Sequence, residues 1–238
     1  MINGVPNIMS HDKRILMVLT SQATMGHSDR PTGVWFEELT TPYYHFTDAG
    51  FEVVLASPKG GLVPVDPHSR EEGASSVVRF LSDAQAMSQL ENSLPLSEVS
   101  SAPYAAIFLP GGHGTMFDLP DDQALAGLLE AFWQENKVVA AVCHGPAGLL
   151  GARDEQGKPL FTGRKVSAFS NEEEDAAGLT DAMPFLLESR IRELGGLYEG
   201  APTFEPYAVR DGRLVTGQNP MSSELVAQLT IQAIARPV

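Results

Sequence analysis

"KVVAAVCHGPAGLL", residues 137–150, joins an apolar run to a turn of small residues and carries the only cysteine of the chain. Val138 to Val142 are uninterrupted apolar residues, the pattern of a strand buried on both faces. Strands of this kind belong to parallel sheets covered by helices. Comparable runs occur at "RILMVLT" (14–20), "FEVVLAS" (51–57), "YAAIFLP" (104–110), "KVSAFS" (165–170) and "GRLVTG" (212–217). Segments of helical period lie between them, at about 34–48, 121–135, 144–151, 181–194 and 222–235, most opening on Ser, Thr or Asp in N-cap position. Pro42 is expected to bend or interrupt the first.

This alternation predicts an α/β fold of the flavodoxin-like, doubly wound kind, a mostly parallel sheet with helices on both faces. The 238 residues are simplest as one α/β domain over 14–238, after a flexible N-terminal segment at 1–13. Residues 58–100, which begin with "SPKGGLVPVDPHS", are expected to leave the sheet as an excursion. Asp and Glu outnumber Lys and Arg by 30 to 16, a formal net charge of −14. That balance repels phosphate backbones and anionic membranes, so no nucleic acid and no membrane is expected as a partner. "MINGVPNIMSHDKR" lacks the apolar run of a signal peptide, which predicts a cytoplasmic protein. A single cysteine makes neither an internal disulfide nor a thiolate zinc cage.

In such folds ligands bind beyond the carboxyl ends of the strands. The segments to read are therefore Thr20 to Gly33, "GGHG" (111–114), Cys143 with His144, "NEEED" (171–175) and "QNP" (218–220). Cys143 ends a strand before a Gly-rich turn, the setting that lifts a nucleophile above a sheet. The positive end of a following helix should lower its pKa and favour the thiolate. The plainer alternative is a small apolar side chain at the end of a buried strand. Glycines of "PGGHG" let the backbone close around a reacting atom. The N–H groups of Gly112 and of the residue after Cys143 could hold an oxyanion, with His113 and Gly114 beside them. His113 and His144 match no compact metal motif along the chain, so no metal is expected.

"TGVWFEELTTPYYHFTDAGFEVVLASPKGG" (32–61), "LPGGHGTMFD" (109–118), "AAVCHGPA" (140–147) and "DGRLVTGQNP" (211–220), in that order, resemble the DJ-1/PfpI superfamily. Within it the chain is similar to the branch of heat-shock chaperones that act as glutathione-independent glyoxalases, or glyoxalase III. The resemblance implies a cofactor-free, cytoplasmic homodimer that converts a small dicarbonyl, methylglyoxal, to lactate. It implies that Cys143 is the nucleophile, His144 its histidine, and Glu174 the acid that orients the histidine. It also places the glutamate nearest the cysteine four residues before the proline, at Glu38.

Each assignment has a competitor. Ser170 with Glu173 fits a capping box, so the acidic run is also an ordinary first helical turn, and Glu173 competes with Glu174 for the third position. Glu37, next to Glu38, points to another side of the helix and reads as a surface residue. Class I glutamine amidotransferases share the architecture but take their base from a histidine late in the chain. No histidine follows His144. The same residues could instead serve a peptidase, amidase or deglycase, or a stress chaperone or redox sensor that uses Cys143 as an oxidisable thiol.

Overall fold

The computed structural model describes residues 13–26, 28–70 and 73–236. The expected flexible segment at 1–13 lies, up to residue 12, outside the described residues. Chain order gives β1 (Arg14–Val18), α1 (Phe36–Asp48), β2 (Glu52–Ser57), α2 (Ser75–Ser82), α3 (Ala84–Glu91), β3 (Leu94–Pro95) and β4 (Ala106–Leu109). It continues with α4 (Thr115–Asp118), α5 (Gln123–Gln134), β5 (Val138–Val142), β6 (Lys165–Val166), α6 (Asn171–Ala176), α7 (Leu187–Glu193), β7 (Leu197–Tyr198), β8 (Ala208–Asp211), β9 (Leu214–Gly217) and α8 (Ser223–Ala235).

Seven strands form one sheet in the order β3-β2-β1-β4-β5-β9-β8. Every neighbouring pair is parallel except β8 with β9. This is the flavodoxin-like α/β fold that the apolar runs predict. Alternate residues of the central strands face opposite layers. Leu16, Ile107, Leu109, Val139 and Ala141 pack with α5 and α7, whereas Ile15, Met17, Phe108, Ala140, Val142 and Cys143 pack with α1, α2 and α8. Burial on both sides explains why these strands carry no polar alternation.

Several expectations need correction. "KVSAFS" contributes only Lys165–Val166 as strand, and that pairs with β7 in a separate two-stranded sheet. The place beside β5 is taken by β9, and Ser167 instead donates its backbone N–H to the Thr216 hydroxyl. The strand β8, whose residues are all half-buried, closes the sheet edge where no apolar run announced a strand. The segment 58–100 contains α2 and α3 and returns to the sheet as β3, beside β2. The turn after Cys143 is a 3-10 helix, Gly145–Leu150, packed so closely that a Cβ on Gly145 would meet the Leu109 carbonyl oxygen at 2.0 Å. Pro42 sits inside α1 without interrupting it. The span 181–194 is split into a 3-10 turn at Thr180–Ala182 and α7.

At the carboxyl end of β1, the chain turns through Thr20 and Ser21, held by a carboxylate from α4. The Thr20 hydroxyl lies 2.9 Å from both Asp118 oxygens, and the Ser21 N–H donates to Oδ2 at 2.7 Å. Burial pushes the Asp118 carboxyl up to about 6, against the lowering effect of those two donors. Its ordinary value in an unfolded chain is about 3.9. The folded state therefore binds the proton more tightly, and this contribution to stability is lost as pH rises from about 4 to about 6. The size is on the order of 3 kcal/mol. Urea unfolding followed across that range should show the decline in wild type and a flatter profile in Asp118→Asn.

Candidate active site

Five loops and helix ends converge beyond the carboxyl ends of β4 and β5. Cys143 adopts the left-handed conformation, φ 58°, a region where a side chain is strained. Two hydrogen bonds hold it there: its N–H donates to the Gly217 carbonyl at 2.9 Å, and its carbonyl accepts from the Phe169 N–H at 2.9 Å. The strain lets the chain reverse abruptly. In consequence His144 turns back toward the residue before it, and its Nδ1 lies 3.4 Å from Cys143 Sγ. A regular helix would set the two side chains about 100° apart.

His144 is fully buried, and its Nε2 lies 2.7 Å from Glu174 Oε2. The other oxygen of that carboxylate, Oε1, lies 2.8 Å from Nε2 of His113. One carboxylate thus faces two imidazoles. Burial opposes its charge, but the charge and hydrogen bonds of His144 and His113 outweigh burial and hold Glu174 well below the usual carboxylate range. Burial, reinforced by His113, pushes the His144 imidazole down, against the opposing pull of Glu174. Burial keeps the His144 ring neutral, and the ionised Glu174 accepts an N–H from each imidazole. With its proton on Nε2, His144 presents the Nδ1 lone pair to the sulfur, the arrangement of a general base oriented by an acid.

From the opposite side, α1 delivers Glu38. It is fully buried, and its Oε2 accepts the Gly111 N–H at 2.8 Å. Glu38 also hydrogen-bonds the Cys143 thiol. Glu37, its neighbour on the helix, is half-buried.

The sulfur's acidity runs against the sequence expectation. Burial pushes the thiol pKa well up, the charge and hydrogen bond of Glu38 add to this, and the His144 backbone N–H only partly offsets them. A six-residue 3-10 helix supplies too little dipole to compete with a buried carboxylate at contact distance. The resting cysteine is a thiol whose proton has two acceptors nearby, His144 Nδ1 and Glu38.

The remaining sequence candidates divide. Gly112 has φ 101°, and a Cβ there would lie 2.3 Å from the Gly33 carbonyl oxygen, so the close approach requires glycine. His113 reaches Glu174 through its side chain. Gly114 backs onto Thr20 and Gln22 at the start of α4. Glu173 forms the expected capping box with Ser170 and belongs to a different network from Glu174. Gln218 and Asn219 of "QNP" tie down residues 201–205. Chain spacing gave no reason to group His113, His144 and Glu174, yet their ligand-type atoms all lie within 4.8 Å of one another. That donor set suits a divalent cation in kind, but here the carboxylate already serves as common acceptor for both rings. Sequence reasoning missed Phe169, whose ring lies 4.4 Å from that of His144. An aromatic residue three positions beyond the last β-branched residue of its run was the available signal.

Two outcomes follow from these electrostatics. Glu38→Gln removes the anion that raises the thiol pKa, so the pH at which iodoacetamide alkylates Cys143 half-maximally should move down by about one unit or more. A single cysteine makes that rate unambiguous. Glu174→Gln leaves one acceptor oxygen for two imidazole donors and frees the His144 tautomer. Turnover should fall by about 10²-fold or more, as expected for loss of oriented acid–base catalysis.

The family model for the DJ-1/PfpI family matches residues 32–233. The glutathione-independent glyoxalase hsp3101 of Schizosaccharomyces pombe is 33% identical, over 94% of this chain and 97% of that protein. The protein/nucleic acid deglycase HchA of Pseudomonas aeruginosa is 29% identical, over 97% of this chain and 85% of its own. The crystal structure of glyoxalase III from Candida albicans superimposes with a TM-score of 0.86 at 30% identity, covering 94% of this chain and 98% of that one. With residues 32–233 matched by the family model and relatives alike over most of its length, the chain belongs to the DJ-1/PfpI family.

Proposed function

We propose that this protein is a glutathione-independent glyoxalase that converts methylglyoxal and water to lactate on Cys143. One observation carries the proposal: a single thiol is flanked by an imidazole lone pair on one side and a buried carboxylate on the other. Addition and carbon-to-carbon proton transfer need two separate proton carriers. The site has both.

In the first step, Sγ adds to the aldehyde carbon of methylglyoxal while the thiol proton passes to His144 Nδ1. Glu174 stabilises the imidazolium formed in this step. The product is a hemithioacetal, whose oxygen is placed near the backbone N–H groups of Gly112 and His144. Glu38 then removes the hydrogen from the former aldehyde carbon and returns a proton to the neighbouring ketone carbon, through an enediol. The result is a lactoyl thioester of Cys143. Water activated by His144 cleaves it, releasing lactate and restoring the thiol. One methylglyoxal and one water give one lactic acid, and the enzyme's own thiol does what glutathione does elsewhere.

The family names in the comparisons support the reaction class, and the buried sulfur, 3% exposed, favours a small substrate. Assembly as a homodimer and a cytoplasmic location belong to the same proposal and rest on the family likeness. Among the described residues no helix is long and apolar enough to cross a membrane. A deglycase activity is the second reading. It is favoured by the HchA relative and would use the same nucleophile on a glycated amine.

Purified protein incubated with methylglyoxal in the absence of glutathione should release lactate, and Cys143→Ala should lower the rate by about 10³-fold or more. Lactate release equal to that of Cys143→Ala would overturn the glyoxalase proposal. Release of free amine from a methylglyoxal-treated amino acid, without lactate from free methylglyoxal, would favour the deglycase.

A further inference from the structure

Glu173 takes no part in the line from Cys143 to Glu174, yet it is fully buried. Its carboxylate accepts four hydrogen bonds from three segments. Oε2 accepts from the backbone N–H and hydroxyl of Ser170, and Oε1 accepts from the Phe204 N–H at 2.9 Å and from Asn219 Nδ2 at 2.8 Å. A capping box needs only the Ser170 half of this arrangement. Asn219 also donates to the Glu205 carbonyl, so the 202–206 segment is pinned twice.

The pinned residue is unusual in its own right. Phe204 has φ 60°, a conformation that glycine adopts without strain and phenylalanine does not. Its ring is 41% exposed and stands 6.3 Å from that of Phe169. Phe169, buried, has its other contacts with the catalytic rings: 4.4 Å to His144 and 6.0 Å to His113. An aromatic side chain held in a left-handed turn by a buried carboxylate thus forms the outer layer of a stack whose inner layer is the two imidazoles.

We propose that Glu173 is a positioning residue, which holds Phe204 over Phe169 so that the stack keeps water from the hydrogen bonds joining His144 and His113 to Glu174. A dry carboxylate holds both N–H groups firmly, and His144 keeps the tautomer that aims Nδ1 at the sulfur. Wet, the same bonds exchange with solvent and the ring is free to turn. The charged and titratable groups around His144 are Glu174, His113, Cys143, Glu38 and Glu173 itself. Replacing Phe204 changes none of these charges.

The test reads the imidazole Nε2 protons by NMR in the free protein. These protons, bonded to a buried carboxylate, should give slowly exchanging downfield resonances in wild type. Phe204→Gly removes the ring while suiting the left-handed backbone, so the fold is retained. We expect exchange of those protons to quicken roughly tenfold or more, as for a hydrogen bond opened to solvent. Phe204→Tyr should keep the wild-type signals. Glu173→Gln should give the same loss as Phe204→Gly and, in addition, lose protection of the Phe204 amide against hydrogen exchange. Unchanged Nε2 exchange in Phe204→Gly, or an equally protected Phe204 amide in Glu173→Gln, would overturn the inference.

A kinetic arm rests on the glyoxalase reading: with methylglyoxal, kcat should fall in Phe204→Gly with KM within about twofold. The NMR arm uses no substrate. Its success beside a wild type that makes no lactate would refute the glyoxalase and leave the positioning role standing.

Discussion

A left-handed cysteine at the end of the central strand is the constraint on which the site is built. Its conformation costs of order 1 kcal/mol or more for a residue with a side chain. Two hydrogen bonds, to β9 through Gly217 and to Phe169, hold the residue in that conformation. The reversal brings His144 beneath its own neighbour, and the 3-10 helix that follows packs against the Leu109 carbonyl at the end of β4. A relaxed cysteine would let the chain leave β5 in another direction. Sγ and Nδ1 would then separate, and Glu174 would orient a ring that faces nothing.

Electrostatics at the site come from carboxylates of unlike surroundings. Glu174 is buried among donors and stays ionised. Glu38 accepts one backbone N–H, and burial of the thiol together with the Glu38 charge keeps the sulfur protonated. Asp118, farther out, is held by a hydroxyl and one N–H and sits near neutral pH. Glu38 and Glu174 are buried and Asp118 is half-buried, and for Glu174 and Asp118 the number and kind of donors decides whether desolvation wins. The result is a resting thiol held protonated beside an ionised carboxylate–imidazole pair.

The sequence made most of this legible where the signal was local. Apolar runs marked the central strands because those strands are buried on both faces. The cysteine and its histidine stood at a strand end, and Ser170 with Glu173 spelled a capping box that the structure contains. Failures arose where tertiary context decided. "KVSAFS" has strand composition, yet the position beside β5 goes to β9, and only two residues of the run pair at all. β8 has no apolar run because its residues are half-buried at a sheet edge. The raised thiol pKa could not be read from neighbours in sequence, since it comes first from burial and then from a carboxylate 105 positions away on α1. The pairing of His113 with His144 through one carboxylate was equally invisible, being assembled from two loops and the helix α6.

The choice between a small carbonyl substrate and a polypeptide turns on how the sulfur is approached. A peptidase must lay an extended chain across its nucleophile, which needs an open groove to both sides of the thiol and an imidazole able to protonate a leaving amine. Here the thiol is 3% exposed and His144 is fully covered, with Phe169 packed on its ring. Glu38, also buried, stands against the sulfur. A carboxylate in that place has no work in acyl transfer, where no carbon-bound hydrogen moves. It has work in an aldehyde's rearrangement, where a hydrogen must leave one carbon and a proton must reach the next, a few ångströms from the sulfur that carries them.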